Sequence, residues 1–284
     1  MRYFIDIPDG SSYTFFMTIP RIIHQTWKSD RLPPVFRIYQ ETWRRRHPGW
    51  EYRFYDDAAC RRIVESHFPD LLELYDGCPH PVQRADIFRY LIVAREGGLY
   101  ADMDMECLRN LEALLEGQKA VFGVEDRLYP RRTRQLGHRY AERIANFIFA
   151  AEVNHPVFQK VIEKLKGLPG EWDLTVEVLE TTGPGMLTNV VQECRQSLGL
   201  TILPRICWAP PNWGYPDCFP FNLHMYARHH FAGTWKKNRP VRLEPGEFRS
   251  WLRKGNLREL FYKLPPSPVW KRDLLFWKKE APRR

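Results

Sequence analysis

The 284-residue chain has no apolar run approaching the ~18–20 residues that a membrane-crossing helix requires. It also has no CxxC pair. Its six cysteines, at positions 60, 78, 107, 194, 207 and 218, are scattered, which favours free thiols in a reducing cytosol over disulfides or a zinc knuckle. No Asn-x-Ser/Thr acceptor occurs, and there is no internal repeat and no Ser/Gly-rich linker. The lack of a sustained heptad, the scattered glycines and the 23 prolines exclude coiled-coil and collagen-like rods. Met1 to Pro20 carries Asp6 and Asp9 where a secretion signal would have its apolar stretch, so the expected setting is cytoplasmic.

What is present is core material. With 44% hydrophobic and 14% aromatic residues the chain is excluded from low-complexity disorder and can build one large core. Its formal charge of +9 is unevenly placed: Lys236 to Arg284 holds 15 basic and 5 acidic residues, leaving the first 235 residues at −1. We therefore expect one domain over residues 1–240 and a basic extension over 241–284. In that extension Trp270, Leu274 and Trp277 share one helical face, the composition of a helix on an anionic membrane surface. A terminal helix packed on the core has the same composition. Nucleic-acid binding is not expected, since no RNA- or DNA-binding motif accompanies the basic stripe.

Hydrophobic periodicity predicts a first strand over 21–26, then a helix opened by Pro33 and Pro34 and stopped at His47-Pro48-Gly49. A second strand follows at Glu51–Tyr55, with Asp56 or Asp57 as N-cap of the next helix. Such β-α-β-α alternation favours a parallel sheet with helices on both faces. Further on, Pro81–Glu96 has helical spacing and is ended by Gly97-Gly98, and Leu99–Ala101 is a short strand. Strands are also expected at Ala120–Val124 and Asn146–Ala151, helices at Pro156–Leu165 and after Thr182-Gly183-Pro184-Gly185, and an irregular basic segment at 127–143.

The sharpest local feature is Asp102-x-Asp104 just past the short strand. Two carboxylates so spaced at a strand end can chelate one hard divalent cation, Mg²⁺ or Mn²⁺, and leave positions open for phosphate oxygens. In an open α/β sheet that edge is where nucleotides sit. Upstream, Asp86 and Arg89 share one face of an otherwise apolar helix, either as a structural ion pair or as a polar handle aimed into a cleft.

Together, Ile19-Pro-Arg-Ile-Ile-His-Gln-Thr-Trp27, Trp50-Glu-Tyr-Arg-Phe-Tyr-Asp56, the Ala85-Asp86-x-x-Arg89-Tyr90 and Gly97-Gly98-x-Tyr100-x-Asp102-x-Asp104 block, Asn146 to Pro156, Thr182-Gly183-Pro184 and His229-His230-Phe-Ala-Gly233-Thr-Trp235 form a compound pattern. In that order it resembles glycosyltransferase family 32, the DXD sugar-binding family that includes fungal α-1,6-mannosyltransferases. The donor-site pattern is also similar to those of clostridial glucosylating toxins and family 8 galactosyltransferases.

The resemblance implies a GT-A type, Rossmann-like fold of the α/β class, with a mixed central sheet flanked by helices. It implies a hexose transferred from a nucleotide-sugar, GDP-mannose or a UDP-hexose, to a glycan or lipid-linked acceptor, with retention of configuration. Asp102 and Asp104 would hold Mn²⁺ or Mg²⁺ with His230, the favoured member of the His229-His230 pair, and Asp86 and Arg89 would contact the donor sugar. His24, Gln25, Trp27 and Tyr100 would line the nucleotide pocket, with the Trp27 face available to a base. Asn146 would border the acceptor side, while Gly233 and Lys236 belong to a His-x-x-Gly-x-x-Lys spacing matched from family 8. For a nucleophile on the far side of the sugar, Glu125, Asp126 and Glu180 are available. A front-face return of the leaving phosphate would need none. Two other functions remain open: a toxin-like transferase acting on protein, and a non-catalytic protein binding membranes or polyanions on the same fold.

Overall fold

Pro34 at the first turn of a helix, a capping Asp56 and paired glycines at 97 and 98 divide the N-terminal half of the chain into alternating strands and helices. The computed structural model describes residues 3–6, 12–15, 18–128, 130–168, 178–208 and 224–233. Its strands are β1 (Tyr3–Asp6), β2 (Ser12–Phe15), β3 (Ile22–Thr26), β4 (Glu51–Tyr55), β5 (Gly98–Ala101), β6 (Met105–Cys107), β7 (Ala120–Arg127), β8 (Glu142–Ile144), β9 (Ile148–Ala151), β10 (Thr201–Leu203) and β11 (Ala227–His229). Its α-helices are α1 (Pro34–Arg46), α2 (Asp57–His67), α3 (Leu72–Asp76), α4 (Pro81–Glu96), α5 (Glu112–Leu115), α6 (Pro130–Gln135), α7 (Pro156–Lys166), α8 (Val178–Thr181), α9 (Pro184–Cys194) and α10 (Arg205–Trp208). Asp56 is the N-cap of α2, its carboxylate accepting from the Ala59 amide at 2.7 Å. The extension at 241–284 and Lys236 lie outside the described residues.

The central sheet runs β10-β7-β9-β5-β3-β4, with β8 added to β7. It is mixed, as the family resemblance implies, rather than parallel throughout as the opening alternation favours. β3 is parallel to β4 and β5, and β10 to β7, but β9 is antiparallel to both β5 and β7. The reason is connectivity: the chain reverses between β7 and β8, and β9 continues in the direction of β8 after a short link, so both lie antiparallel to β7. The segment 127–143, expected to be irregular, holds α6 and most of β8 instead. No helix among the described residues is long and apolar enough to cross a membrane.

Neighbouring residues of β3 show how the two faces are covered. Gln25 accepts from the Tyr52 hydroxyl at 2.7 Å, and that hydroxyl accepts from Gln40 of α1 at 2.9 Å. On the opposite face His24 bonds Tyr55, whose ring meets Phe88 of α4 edge-on. Helix α4 is buried through Ile87–Ala94, which is why its sequence has little polar stripe. Phe149 of β9 anchors it, lying within 6.0 Å (ring centroids) of Tyr90, Tyr100, Phe122 and Phe158. Truncating such a ring to alanine typically costs about 3–5 kcal/mol.

The helix-to-strand corner at Gly97-Gly98 sets the height of everything that follows. Both residues have positive φ, 65° and 92°. A Cβ on Gly98 would stand 2.7 Å from the Ile22 carbonyl oxygen, so glycine lets β5 lie directly against β3.

Candidate metal and donor site

β5 ends at Ala101, and the next three residues turn the chain into β6. The Asp102 amide donates to the Phe147 carbonyl at 2.8 Å, while the Asp102 carbonyl accepts from Met105 N–H at 3.0 Å and Gln25 Nε2 at 3.1 Å. Helix α1 holds the far side of the turn: Trp43 Nε1 donates to the Met105 carbonyl at 2.8 Å and Thr42 Oγ1 accepts from Cys107 N–H at 2.9 Å. β11 pairs antiparallel with β6, placing His229 opposite Met105. Its Nε2 lies 3.1 Å from Asp104 Oδ1, and the Ala232 amide donates to Asp104 Oδ2 at 2.9 Å.

Asp102, Asp104 and His229 thus converge, with one ligand atom of each within 4.8 Å of the others. Burial works to raise the Asp104 carboxyl, but the His229 ring and the hydrogen bonds from His229 and Ala232 outweigh it and hold the group below its usual value. Burial and the neighbouring Asp104 charge raise Asp102 against the opposing Arg89. For His229 burial opposes the charge, yet the Asp104 contact prevails and raises it. The ring lies between Phe147 and Phe231, each 4.0 Å away by ring centroids, and its Nδ1 is buried without a partner among the described residues.

Arg89 links this triad to the helix. Its Nη2 is 3.1 Å from Asp102 Oδ1, its Nη1 is 3.3 Å from Asp86 Oδ1, and Nη1 donates to the Asn146 carbonyl at 3.0 Å. Asp86, 2% exposed, also accepts from Asn146 Nδ2 at 2.9 Å and Thr182 Oγ1 at 3.1 Å. Burial pushes Asp86 up to about 6 against the pull of Arg89. Tyr100 donates to Asp102 Oδ1 at 2.7 Å and lies 5.1 Å (ring centroid) beneath the Arg89 guanidinium.

Asp86, Arg89, Asp102, Asp104, Asn146 and His229 line one cleft of about 400 Å³, together with Trp27, Lys28, Phe36, Met103, Glu125 and Pro184. Of the residues expected to form the site, Trp27, Asp86, Arg89, Asp102, Asp104, Asn146 and Gly233 reach it. Three do not. His24 is fully buried between Tyr55 and the Gly97 carbonyl, Gln25 is spent on Tyr52 and the Asp102 backbone, and Tyr100 stands behind Asp102. His24 and Tyr100 are cross-strand partners on a covered face of the sheet, which removes them from a pocket at its edge.

The histidine expected as ligand is also corrected. His230 turns away, its Nε2 3.0 Å from Glu106 and its ring stacked on Tyr39 at 4.2 Å, and His229 takes the place beside Asp104. Successive residues at the end of a strand point to opposite sides, so only one of a His-His pair can face the carboxylates. Phe147, Phe231 and the Ala232 amide were not singled out in the sequence. They lie within the quoted motifs, but their roles come from chain crossings.

Two carboxylate oxygens and an imidazole nitrogen form a donor set suited to Mn²⁺ or Mg²⁺, with Mn²⁺ the better match to the nitrogen. The buried His229 with its Nε2 aimed at Asp104, and the mutual repulsion of the two aspartates, fit such an ion.

Residues 33–121 match the family described as the glycosyltransferase sugar-binding region containing the DXD motif. Inositol phosphoceramide mannosyltransferase 2 of Schizosaccharomyces pombe is 30% identical over 184 residues, covering 63% of this chain and 48% of that protein. Inositol phosphoceramide mannosyltransferase 3 of the same yeast is 32% identical over 176 residues, 61% of this chain and 44% of its own length. The chain therefore spans about half the length of these two relatives. The initiation-specific alpha-1,6-mannosyltransferase of Candida albicans is 28% identical over 76% of this chain and 72% of its own. Among solved structures, the PaToxG glycosyltransferase superposes with a TM-score of 0.47 at 20% identity, over 64% of this chain and 70% of that one. Residues 33–121 are thus similar to the sugar-binding region of DXD glycosyltransferases, and the chain is similar to these mannosyltransferases over about two thirds or more of its own length.

Proposed function

We propose that this protein is a metal-dependent glycosyltransferase that moves a hexose from a nucleotide-sugar to a glycan or glycolipid acceptor. The observation that carries this is the convergence of Asp102, Asp104 and His229 beside the buried Asp86–Arg89 pair in a single cleft. The mannosyltransferase names of its relatives support mannose as the sugar and a glycolipid or glycan as the acceptor. GDP-mannose is the favoured donor, with a UDP-hexose as the alternative. Retention of configuration is part of the proposal on family resemblance alone.

The residues divide the work along the cleft. Trp27, braced edge-on by Phe36 at 5.0 Å (ring centroids), offers its face to the base. Asp102, Asp104 and His229 would hold Mn²⁺ or Mg²⁺, which when bound supplies positive charge to the departing diphosphate. Asp86 and Arg89 offer an acceptor and a donor to the hydroxyls of the sugar, and Asn146 and Thr182 fix the Asp86 carboxylate so that it need not reorganise.

The test is nucleotide release from a panel of GDP- and UDP-sugars, with Mn²⁺ and with EDTA. We expect release from one donor, abolished by EDTA and by Asp104→Asn. A protein that neither releases nor binds any nucleotide in the presence of Mn²⁺ would overturn the proposal.

A further inference from the structure

Glu125 lines the cleft, yet it takes no part in the donor network around Asp86, Arg89 and Asp102. Its Oε2 is buried without a hydrogen-bond partner among the described residues. Arg143 is the nearest charge, with Nε 3.7 Å away, but the guanidinium makes its closer ion pair with Glu180 at 2.8 Å. Asp126, the adjacent carboxylate, pairs with Arg205 at 2.9 Å and is exposed. The Arg143 contact is a long ion pair and leaves that oxygen without a hydrogen bond, which is costly for a buried carboxylate and fits a group that meets a ligand.

The backbone gives the same indication independently. β7 pairs with β8 at Val124↔Ile144 and next at Asp126↔Arg143, so Glu125 is the extra residue of a β-bulge. Bulges re-aim a side chain and concentrate beside active sites. This one lies where the two strands leave the sheet edge that carries the site.

Position along that edge points to what Glu125 meets. The strands β3, β5, β9 and β7 are consecutive neighbours. Trp27 follows β3, Asp102 and Asp104 follow β5, Asn146 precedes β9, and Glu125 comes late in β7, all at one edge. With strands ~4.8 Å apart, Glu125 stands about 10 Å along the edge from the Asp102 strand, with Asn146 between. A donor laid with its base at Trp27, its diphosphate at Asp102 and Asp104, and its sugar at Asp86, Arg89 and Asn146 has Glu125 just beyond the sugar.

We propose that Glu125 is the acceptor-side residue of the cleft: its carboxylate accepts a hydrogen bond from the attacking hydroxyl of a sugar or polyol acceptor and aims that oxygen at the anomeric carbon. This rests on the transferase proposal above. In the step, the acceptor oxygen bonds to the anomeric carbon, and the anomeric C–O bond breaks with its electron pair passing to the diphosphate. The hydroxyl proton passes along its hydrogen bond to the Glu125 carboxylate and from there to solvent. Glu125 orients the hydroxyl and is regenerated unchanged.

The experiment compares wild type, Glu125→Gln and Glu125→Asp, using the donor that wild type releases and methyl α-D-mannopyranoside or myo-inositol as probe acceptors. Mn²⁺-dependent GDP and UDP binding is measured alongside, and cooperative melting checks the fold. We expect both variants to bind nucleotide within about threefold of wild type, while acceptor-stimulated release falls about tenfold or more in Glu125→Gln. Release within about threefold of wild type in Glu125→Gln would overturn the proposal, as would parallel loss of nucleotide binding and transfer. Failure of both probes to stimulate wild type while nucleotide still binds would overturn the sugar-or-polyol acceptor and leave the transferase proposal standing. Absence of Mn²⁺-dependent nucleotide binding in wild type would sink the transferase proposal itself.

Discussion

His229 Nε2 lies 3.1 Å from Asp104 Oδ1, a contact between residues 125 positions apart in the chain. It forms because β11 adds to β6, bringing the last described strand against the turn that carries the acidic pair. The third corner of the candidate metal site therefore depends on a strand pairing remote in sequence from both aspartates.

His229→Ala should weaken Mn²⁺ binding about tenfold or more, whereas His230→Ala should change it less than about threefold. Isothermal titration with Mn²⁺ alone, with no nucleotide present, separates the two. The reverse ranking would return the ligand role to His230 and contradict the geometry at Asp104.

Arg89 is 5% exposed and sits between the Asp86 and Asp102 carboxylates. Arg89→Met leaves two partly or fully buried carboxylates facing each other without a cation, and urea unfolding should show a loss of about 3–5 kcal/mol. Arg89→Lys should recover part of that stability, because it returns the charge, but not the fork that reaches both aspartates and the Asn146 carbonyl at once.

His24 gives a pH dependence whose sign follows from its burial. Burial lowers its pKa to about 4, against the Gly97 hydrogen bond that favours the charged form. In the unfolded chain the ring titrates near 6.5. Above that value neither state binds the proton and His24 adds no pH dependence. As pH falls from about 6.5 to about 4, the unfolded state takes up a proton that the folded state refuses, and stability drops by about 3 kcal/mol. Urea midpoints of wild type and His24→Gln across this range should diverge, with the variant flatter. Parallel curves would mean that other groups carry the acid sensitivity.

Gly98→Ala should destabilise the fold by roughly 2 kcal/mol or more, read as a lower Tm. Its φ of 92° is strained for any L side chain, and the added methyl meets the Ile22 carbonyl of the neighbouring strand. Because Gly98 starts the strand that delivers Asp102, Mn²⁺ affinity should fall with it. An unchanged Tm would show that β5 and β3 can separate without cost.

Much of this was legible locally. The helix expected over Pro81–Glu96 and the strand at Glu51–Tyr55 have those bounds, and Pro34–Arg46 and Pro156–Lys166 lie within a residue or two of theirs. Their signals are proline at the first turn, glycine at the end and a burial period of 3.6 or 2, all carried by near neighbours in the chain. The Asp102-x-Asp104 spacing and the Asp86–Arg89 helical step are equally local, so the carboxylates and the cation of the site could be named before any fold was known.

Which way a side chain faces is not local when the partner strand is distant. β6 and β11 are three residues each, too short to show a period, so the sequence pattern favoured His230 where the structure sets His229 beside Asp104. His24 and Gln25 sit in the same motif as Trp27, but strand alternation and the covering of both sheet faces turn them inward. Glu125, one of three available carboxylates by sequence, is separated from Asp126 and Glu180 by a bulge that exists only once β7 has paired with β8. The elements and the acidic chemistry are set by spacing along the chain and can be read from it directly. The tertiary structure alone decided which histidine and which glutamate enter the cleft, because that choice is made by strand register between segments many residues apart.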